Sequence, residues 1–204
     1  MVDNTRPIRV RLAPSPTGPL HIGTARTALF NWLFARQHNG VFLLRIEDTD
    51  VARSEKKYEA EIIEGLQWLG LNWDEKVYRQ SERGEIYEKY LKKLIEEKNA
   101  YFCYCTKEEL EAERQAMLSQ SLPPKYEGHC RDLATPPKGK EPQVIRFKMP
   151  EAQVEFKDMI RGTISFEASL FGDIAIAKNM KTPFYNFAVV VDDEEMKISH
   201  VIRG

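Results

Sequence analysis

The segment IRVRLAPSPTGPLHIGT, residues 8–24, contains the clearest signals of secondary structure in this chain of 204 residues. Its beginning, Ile8 to Ala13, contains β-branched residues and predicts a short strand. The prolines between Pro14 and Pro19 are incompatible with a helix interior or a central strand, so they predict a loop. Beyond Gly23 the apolar side chains recur at helical spacing and predict an amphipathic helix. The predicted apolar face consists of Ala25, Ala28, Leu29 and Trp32.

A second strand is expected directly after this helix. Asn39 and Gly40 should end the helix, with Gly40 as its C-cap, and the apolar run from Val41 to Ile46 predicts a buried strand. The order strand, loop, helix, strand needs a crossover connection, so the two strands are predicted to be parallel. They form one half of a nucleotide-binding sheet, which binds its ligand at the carboxyl ends of the strands.

The remainder of the chain changes character near residue 100. Two amphipathic helices come first, with apolar residues at 58, 62, 66 and 69 and at 87, 90, 91 and 94; the first should end at Gly70. A cysteine-containing strand follows Tyr101, and Thr106 with Glu109 forms a capping box that opens a further helix. Short strands are predicted at 144–149, 153–157, 163–167 and 173–176, which indicates an antiparallel α+β insertion.

The predicted fold class is therefore α/β, a partial Rossmann-like parallel sheet with an inserted α+β domain. The predicted domains are residues 1–100, the first half of the sheet domain, residues 101–184, the insertion, and residues 185–204, where strands return to the sheet. The continuous apolar run from Phe187 to Val191 predicts a strand buried on both faces.

Composition restricts the functions that the chain can have. Thirty basic and thirty-one acidic residues leave a net charge of −1, so any contact with a nucleic acid must come from a local patch. No stretch approaches the ~18 apolar residues of a membrane span. The three cysteines are too few and too close in sequence for a disulfide framework, which favours a reducing compartment. We expect a cytoplasmic protein without membrane contact.

His21 is a candidate phosphate ligand. Its loop lies at the end of the first strand and opens a helix, where free N–H groups and the helix dipole favour an anion. Gly23 lets a polyanion approach the backbone, and His21 can donate a hydrogen bond to a phosphate. The alternative is a proline-rich turn with a buried histidine.

Two motifs together carry a family resemblance. Ala13 to Thr24 resembles the HIGH signature of class I aminoacyl-tRNA synthetases, and Arg45 to Asp50 resembles the RIEDTD segment of the glutamyl type. Residues 185–193 and 200–204 are also similar to that family, so the resemblance extends from Ile8 to Gly204. It implies the class I type of parallel sheet and an insertion that binds the tRNA acceptor stem.

The resemblance implies a glutamate pocket at the strand ends. Arg11 and Arg203 match the arginines that hold the two carboxylates of the substrate, and a planar guanidinium suits bidentate pairing. Glu47 matches the acceptor for the substrate ammonium. Ser15, the backbone of Ala13 and the hydroxyl of Tyr185 would complete the pocket. Glutaminyl-tRNA synthetases are similar too, but they have Asp where Glu47 stands and bind a neutral amide, so glutamate is favoured.

The resemblance also implies contacts to ATP, which would be used with Mg²⁺. His21, Gly23 and Thr24 correspond to the catalytic ATP contacts, and Pro14 and Thr17 lie in the same signature. Two charged residues of the second motif are open to two interpretations, since Arg45 and Asp48 either form a local salt bridge or contact a ligand directly.

The cysteines predict a metal site or a group of thiols. Cys103 and Cys105 lie on one face of a strand and, with Cys130, can offer three thiolates to a structural Zn²⁺. Some family members continue with Cys-x-His or Cys-x-Cys, but Asp132 occupies the final position here. A related enzyme that glutamylates queuosine in tRNA has a tyrosine four residues before its last cysteine, and Tyr126 matches it. The alternative is three buried thiols without metal.

The expected activity is glutamate–tRNA ligation. ATP and L-glutamate would give glutamyl-adenylate, and the acyl group would pass to the 3′ end of tRNA(Glu). The alternatives are the queuosine-modifying relative, whose spacer is shorter than the twenty residues from Thr106 to Lys125, and a tRNA-binding module without catalysis. No lysine-rich KMSKS-type loop occurs in the sequence. We expect a monomeric, N-terminal part of a longer synthetase that does not charge tRNA alone.

Overall fold

The computed structural model describes residues 7–50 and 53–203, which form two compact units. The first unit contains the described residues up to Gly84 and those from Ala188 onward, and the second extends from Glu85 to Phe187. Among the described residues, no helix has the length and apolar character needed to cross a bilayer.

The first unit is built on a three-stranded parallel sheet. Strands β1 (Arg9–Leu12), β2 (Val41–Ile46) and β3 (Tyr78–Arg79) lie side by side in this order, with Arg11 opposite Leu43. Helix α1 (Ile22–Gln37) connects the first pair and α2 (Lys56–Trp68) the second. The parallel strand pair predicted from the sequence is thus confirmed.

Apolar residues of both helices cover the sheet. The core contains Val10, Leu12, Phe42, Leu44, Ile46, Ala28, Ala35, Ile62 and Leu66. Strand β2 is buried over nearly its whole length, as the apolar run predicts. Helix α2 ends before Gly70, whose φ of +73° is a left-handed conformation that glycine adopts without strain.

Helix α1 differs from the prediction in two respects. Its buried residues are Ala28, Asn31 and Ala35. Of the predicted apolar face, Ala28 lies in the core and Trp32 packs against it, whereas Leu29 is 43% exposed, so its assignment was wrong. The helix ends at Gln37, and Asn39, not Gly40, has the left-handed φ of 49°. Gly40 is required for another reason, because a Cβ there would lie 2.5 Å from the carbonyl oxygen of Ile8.

The second unit contains the predicted antiparallel insertion. Its four-stranded sheet has the order β4 (Ala100–Cys103), β5 (Val144–Phe147), β8 (Ala175–Asn179) and β9 (Thr182–Pro183). Strands β6 (Gln153–Asp158) and β7 (Gly162–Glu167) pair separately as a hairpin. Helix α3 (Gly84–Glu96) precedes β4, and α4 (Lys107–Ser119) follows it. Thr106 and Glu109 form the predicted capping box at the start of α4.

The prediction of a returning strand at Phe187–Val191 was wrong. Residues Tyr185–Glu195 form helix α5, which belongs to the first unit from Ala188 onward. Ala188 and Asp192 are fully buried, while Val190 is 66% exposed. A spacing of four between buried residues is helical, whereas a strand of a parallel sheet would bury the whole run.

Candidate functional site

The loop between β1 and α1 forms a small cavity. Its volume is about 270 Å³, and its lining comprises Pro14, Ser15, Thr17, Gly18, Pro19, Leu20, His21, Thr24 and Ile62. Two backbone hydrogen bonds fix the loop to the end of the second strand and to the start of α2. Glu47 N donates to Pro14 O at 2.9 Å, and Glu55 N donates to Pro16 O at 3.0 Å.

His21 is the N-cap of α1 and is exposed, so the alternative of a buried histidine is wrong. Its Nδ1 accepts hydrogen bonds from the backbone N–H groups of Gly23 at 3.2 Å and Thr24 at 3.4 Å. A ring that accepts at Nδ1 carries its proton on Nε2, which lies 3.0 Å from Thr24 Oγ1. The donor that could meet a phosphate is therefore Nε2.

Gly23 has no side chain, which leaves space for the His21 ring at the start of α1. A Cβ on Gly23 would lie 3.0 Å from His21 Cε1, closer than nearly all such contacts. The three residues His21, Gly23 and Thr24 are thus brought together at the helix N-terminus, where the first N–H groups of a helix point outward.

A buried network of charges lies at the ends of β1 and β2. Arg45 is completely buried and donates from Nη1 to Asp193 at 2.6 Å and from Nη2 to Glu47 at 2.9 Å. Asp193 also accepts two hydrogen bonds from Arg11, from Nε at 3.1 Å and Nη2 at 3.0 Å. Arg11 and Glu47, two predicted substrate ligands, are therefore connected through Arg45 and Asp193.

The protonation of this network follows from burial and neighbouring charges. Burial raises the pKa of the Glu47 carboxyl, although the cations of Arg45 and Arg11 oppose the shift. Burial disfavours the Arg45 cation, but Asp193 and Glu47 outweigh this cost and raise the pKa of Arg45. Arg45 thus remains charged and keeps two carboxylates in place.

Arg11 presents only one of its edges to a ligand. Asp193 occupies one hydrogen each of Nε and Nη2. The guanidinium fork formed by Nη1 and the second hydrogen of Nη2 has no hydrogen-bond partner among residues 7–50 and 53–203. Side-on pairing with Asp193 leaves this end-on fork open to another hydrogen-bond acceptor.

Asp192 extends the network on the other side. It accepts from Arg83 Nε at 2.6 Å and from Gln80 Nε2 at 2.8 Å, and it lies 3.8 Å from Arg45 Nε. Asp192 and Asp193 were not predicted as site residues from the sequence. The only signal was a pair of acidic residues directly after an apolar run, which is common in solvated loops.

The remaining predicted site residues have diverse environments. Ser15 and Thr17 are exposed at the loop cavity, and Ala13 is half-buried beside it in sequence. Arg203 is exposed and is not joined to the Arg11 network by any described contact within the first unit. Tyr185 begins α5 in the second unit and is 49% exposed.

Asp48 and Arg45 do not pair with each other. Asp48 accepts hydrogen bonds from Ser81, at 2.8 Å from the backbone N–H and 2.6 Å from the hydroxyl. The local Arg45–Asp48 salt bridge considered from the sequence is thus wrong, because Arg45 points into the buried network instead.

The second unit gathers its three cysteines and Tyr126, which we call the Cys–Tyr cluster. The three sulfurs are buried and lie within 4.8 Å of one another, with 3.6 Å between Cys105 and Cys130. The Tyr126 hydroxyl lies 3.5 Å from Cys103 Sγ and 3.7 Å from Cys105 Sγ, and it accepts from Cys130 N at 2.9 Å.

The thiols of the Cys–Tyr cluster differ in acidity. Burial raises the pKa of Cys105 to about 12. Burial also disfavours the thiolate of Cys103, but hydrogen bonds with Tyr126 and Arg146 outweigh it and lower the pKa of Cys103.

The polar residues beside the cluster point elsewhere. Asp132 pairs with Lys148 at 2.8 Å, and His129 Nε2 lies 3.4 Å from Glu113 Oε1. Neither contributes an atom to the Cys–Tyr cluster, whose four side chains are those singled out from the sequence.

Known proteins resemble the chain over nearly its full length. Residues 7–204 match the family described as tRNA synthetases class I (E and Q), catalytic domain. A glutamate–tRNA ligase of Thermodesulfovibrio yellowstonii is 54% identical over 198 residues, covering 97% of this chain and 42% of the relative. One of Carboxydothermus hydrogenoformans is 52% identical over 212 residues, covering 97% of this chain and 44% of the relative.

A solved structure agrees in fold. A glutamate tRNA ligase from Elizabethkingia meningosepticum, in complex with its amino acid, has a TM-score of 0.83 and 38% identity, covering 96% of this chain and 43% of that chain. The chain thus spans somewhat less than half the length of these relatives. The TM-score and identity show that the two chains share a fold over this length. The chain belongs to the family of class I tRNA synthetase catalytic domains of the E and Q type.

Proposed function

We propose that the chain is the glutamate- and ATP-binding part of a glutamate–tRNA ligase. The observation that carries this proposal is the Arg11 guanidinium, held side-on by Asp193 with its end-on fork free beside Glu47. Such a fork pairs best with a carboxylate, and a charge-assisted pair is stronger than a bond to a neutral amide. The relatives at 54% and 52% identity that bear the name glutamate–tRNA ligase support the same substrate.

The glutamate pocket would contain both cationic and anionic side chains. Arg11 and Arg203 would bind the carboxylates, and Glu47 would accept the substrate ammonium. The incoming cation would favour the ionised form of Glu47, whose burial otherwise disfavours it. Ser15, the backbone of Ala13 and the hydroxyl of Tyr185 would supply the remaining polar contacts.

ATP would bind at the His21 loop. The N–H groups at the start of α1 and the Nε2 donor of His21 suit its phosphates, with Pro14, Thr17, Gly23 and Thr24 as further contacts. No carboxylate is present among the residues lining the cavity, so Mg²⁺ would be held there by phosphate and water oxygens. The ion would neutralise phosphate charge.

The chemistry would consist of two displacements. A carboxylate oxygen of glutamate attacks the α-phosphorus of ATP and pyrophosphate leaves; a ribose hydroxyl at the tRNA 3′ end then attacks the acyl carbon, and AMP leaves. Neither step needs an enzyme nucleophile. The chain's residues would act by positioning the reactants and stabilising charge.

A structural Zn²⁺ is proposed for the Cys–Tyr cluster. Tetrahedral zinc with sulfur ligands at about 2.3 Å and an oxygen ligand at about 2.0 Å separates two sulfurs by about 3.8 Å and sulfur from oxygen by about 3.5 Å. The observed separations of 3.6 Å between Cys105 and Cys130, and of 3.5 and 3.7 Å from Tyr126 to Cys103 and Cys105, fit this geometry.

The partner proposed for the second unit is the acceptor end of tRNA(Glu), and the protein is proposed to act as a monomer in the cytoplasm. The free thiols of the Cys–Tyr cluster support a reducing compartment. The queuosine-modifying activity remains a second candidate because of this cluster. Helix α4 fills the spacer between Cys105 and Tyr126, a length that favours the synthetase.

A charging assay tests the proposed function. The natural protein that contains these residues should charge tRNA(Glu) with glutamate, and Arg11→Ala should raise the KM for glutamate while leaving the KM for ATP nearly unchanged. Arg114→Ala, which removes an exposed arginine, is the matched control. Residues 1–204 alone should not charge, since they contain no KMSKS-type loop. Charging with glutamine in preference to glutamate would contradict the proposal.

A further inference from the structure

Arg146 of β5 lies directly on the Cys–Tyr cluster. Its guanidinium carbon is 3.7 Å from the centre of the Tyr126 ring, and the residue is only 8% exposed. A cation over an aromatic face within about 6 Å is attracted to the ring, and the attraction grows when water is excluded.

The position of Arg146 is fixed by a second set of contacts. Nη1 donates to the carbonyl oxygen of Asp173 at 2.8 Å. The Asp173 carboxylate is itself held by Tyr101 at 2.6 Å, by Arg131 at 2.8 Å and by Met149 N at 2.8 Å. The backbone carbonyl of Asp173 therefore holds Arg146, whereas the Asp173 carboxylate accepts its hydrogen bonds from other residues.

The guanidinium of Arg146 is not paired with a carboxylate in the part of the chain that the structure describes. No salt bridge of Arg146 occurs among the described residues, and its Nε is buried without a hydrogen-bond partner. A buried, unpaired cation is costly unless an anionic group compensates it. The Tyr126 ring, whose centre lies 3.7 Å from the guanidinium carbon, is the group on which the Arg146 cation lies.

We propose that Arg146 is a positioning residue of the metal centre. It fixes the plane of the Tyr126 ring so that the phenol oxygen faces the three sulfurs, and it offsets the negative charge that three thiolates and a phenolate would place around Zn²⁺. The inference rests on the proposed zinc site. It adds that occupancy of the site depends on a residue that donates no ligand atom.

Metal affinity measured on the 204-residue chain tests this role. Zinc binding is measured by competition with a chromogenic chelator, and Co²⁺ in place of Zn²⁺ reports ligand geometry through its absorption spectrum. Arg146→Gln removes the cation and should weaken zinc binding about 10- to 100-fold, the usual effect of outer-shell groups, and should change the Co²⁺ spectrum. Arg146→Lys keeps a charge without the planar stack and should lie between wild type and Arg146→Gln.

The matched control is Arg114→Gln. Arg114 lines the same cavity of about 280 Å³ as Arg146 and Tyr126, but its recorded ion pair is with Glu111 on the surface. This variant should bind zinc like wild type. Folded Arg146→Gln with wild-type affinity and spectrum would overturn the inference. A wild-type chain that binds neither metal would instead overturn the zinc proposal itself, and the inference with it.

A measurement on the wild-type chain covers the case in which Arg146→Gln does not fold. The Nε–H resonance of Arg146 should shift and exchange more slowly when zinc is added, because the guanidinium then faces an anionic centre. The Nε–H resonance of Arg114 should not change. An Arg146 resonance that does not respond to zinc would overturn the role.

Discussion

The arginine–carboxylate network of the first unit and the Cys–Tyr cluster of the second are stabilised by different interactions. The network contains three arginines, Arg11, Arg45 and Arg83, and three carboxylates, Glu47, Asp192 and Asp193, joined by close contacts. Its charges balance without any ligand. The Cys–Tyr cluster contains four donor side chains beside Arg146, a buried arginine with no salt bridge among the described residues, and the proposed metal would hold these donors together.

The arginine–carboxylate network is the preorganised site of the two. A balanced network can hold the Arg11 fork and Glu47 in position before the substrate arrives, and such positioning is a main source of catalytic power. The Cys–Tyr cluster would gain its rigidity on binding, because metal binding and folding are coupled. Changes at Arg45 and at the Cys–Tyr cluster test the two sides of this comparison, and changes at His21 test the adjacent helix N-terminus.

The largest expected effect is the loss of the buried cation at Arg45. Arg45→Met should lower the free energy of unfolding by about 3–5 kcal/mol, because Glu47 and Asp193 are left as like charges in the interior. Urea denaturation measures the change. Arg36→Met, which breaks the surface pair with Asp74, should cost no more than about 1 kcal/mol. Equal costs would show that the network is not a buried unit.

Metal removal should have the next largest effect. The wild-type chain should contain about one zinc, and with free zinc about 100-fold above Kd the metal should contribute about 2.7 kcal/mol to stability. Cys103→Ser should lose both the metal and this contribution. A chelator should lower the Tm of wild type and leave that of Cys103→Ser unchanged. A metal-free wild type with the same Tm as the mutant would mean that the thiols only pack.

The smallest effect is expected at the N-terminus of α1. His21→Ala should lower stability by about 1 kcal/mol, because the backbone N–H groups of Gly23 and Thr24 lose their acceptor. His21→Asn keeps a capping oxygen and should retain stability while losing affinity for ATP. His129→Ala, at an exposed histidine of the second unit, should change stability by no more than about 0.5 kcal/mol. Loss of stability in His21→Asn would contradict the capping role.

Sequence reasoning succeeded where the signal is local. The capping box at Thr106 and Glu109, the left-handed Gly70 and the crossover between β1 and β2 each depend on a few neighbouring residues. Cys103 and Cys105 could be paired because they are two residues apart at a strand end, whereas Tyr126 was singled out through the resemblance to the queuosine-modifying enzyme.

Predictions from the sequence failed where contacts between residues distant in sequence determine the structure. Asp193 contacts Arg11 across 182 positions of sequence, and no local pattern predicts such a pair. Val189, Val190 and Val191 are strong strand formers, yet the run is helical, because propensity is weak against packing. The complete burial of Arg45 is also unexpected for a charged residue and becomes intelligible only once its two carboxylate partners are known.

The most direct test of the central claim is a calorimetric comparison of two adenylate analogues with the 204-residue chain. Glutamyl-sulfamoyl-adenosine should bind about 5- to 150-fold more tightly than its glutaminyl counterpart, since a charge-assisted pair with the Arg11 fork is worth about 1–3 kcal/mol. In Asp193→Asn, which releases the side-on edge of Arg11, this preference should shrink. Equal affinity of the wild-type chain for the two analogues would contradict the assignment of Arg11 as the group that recognises the substrate carboxylate.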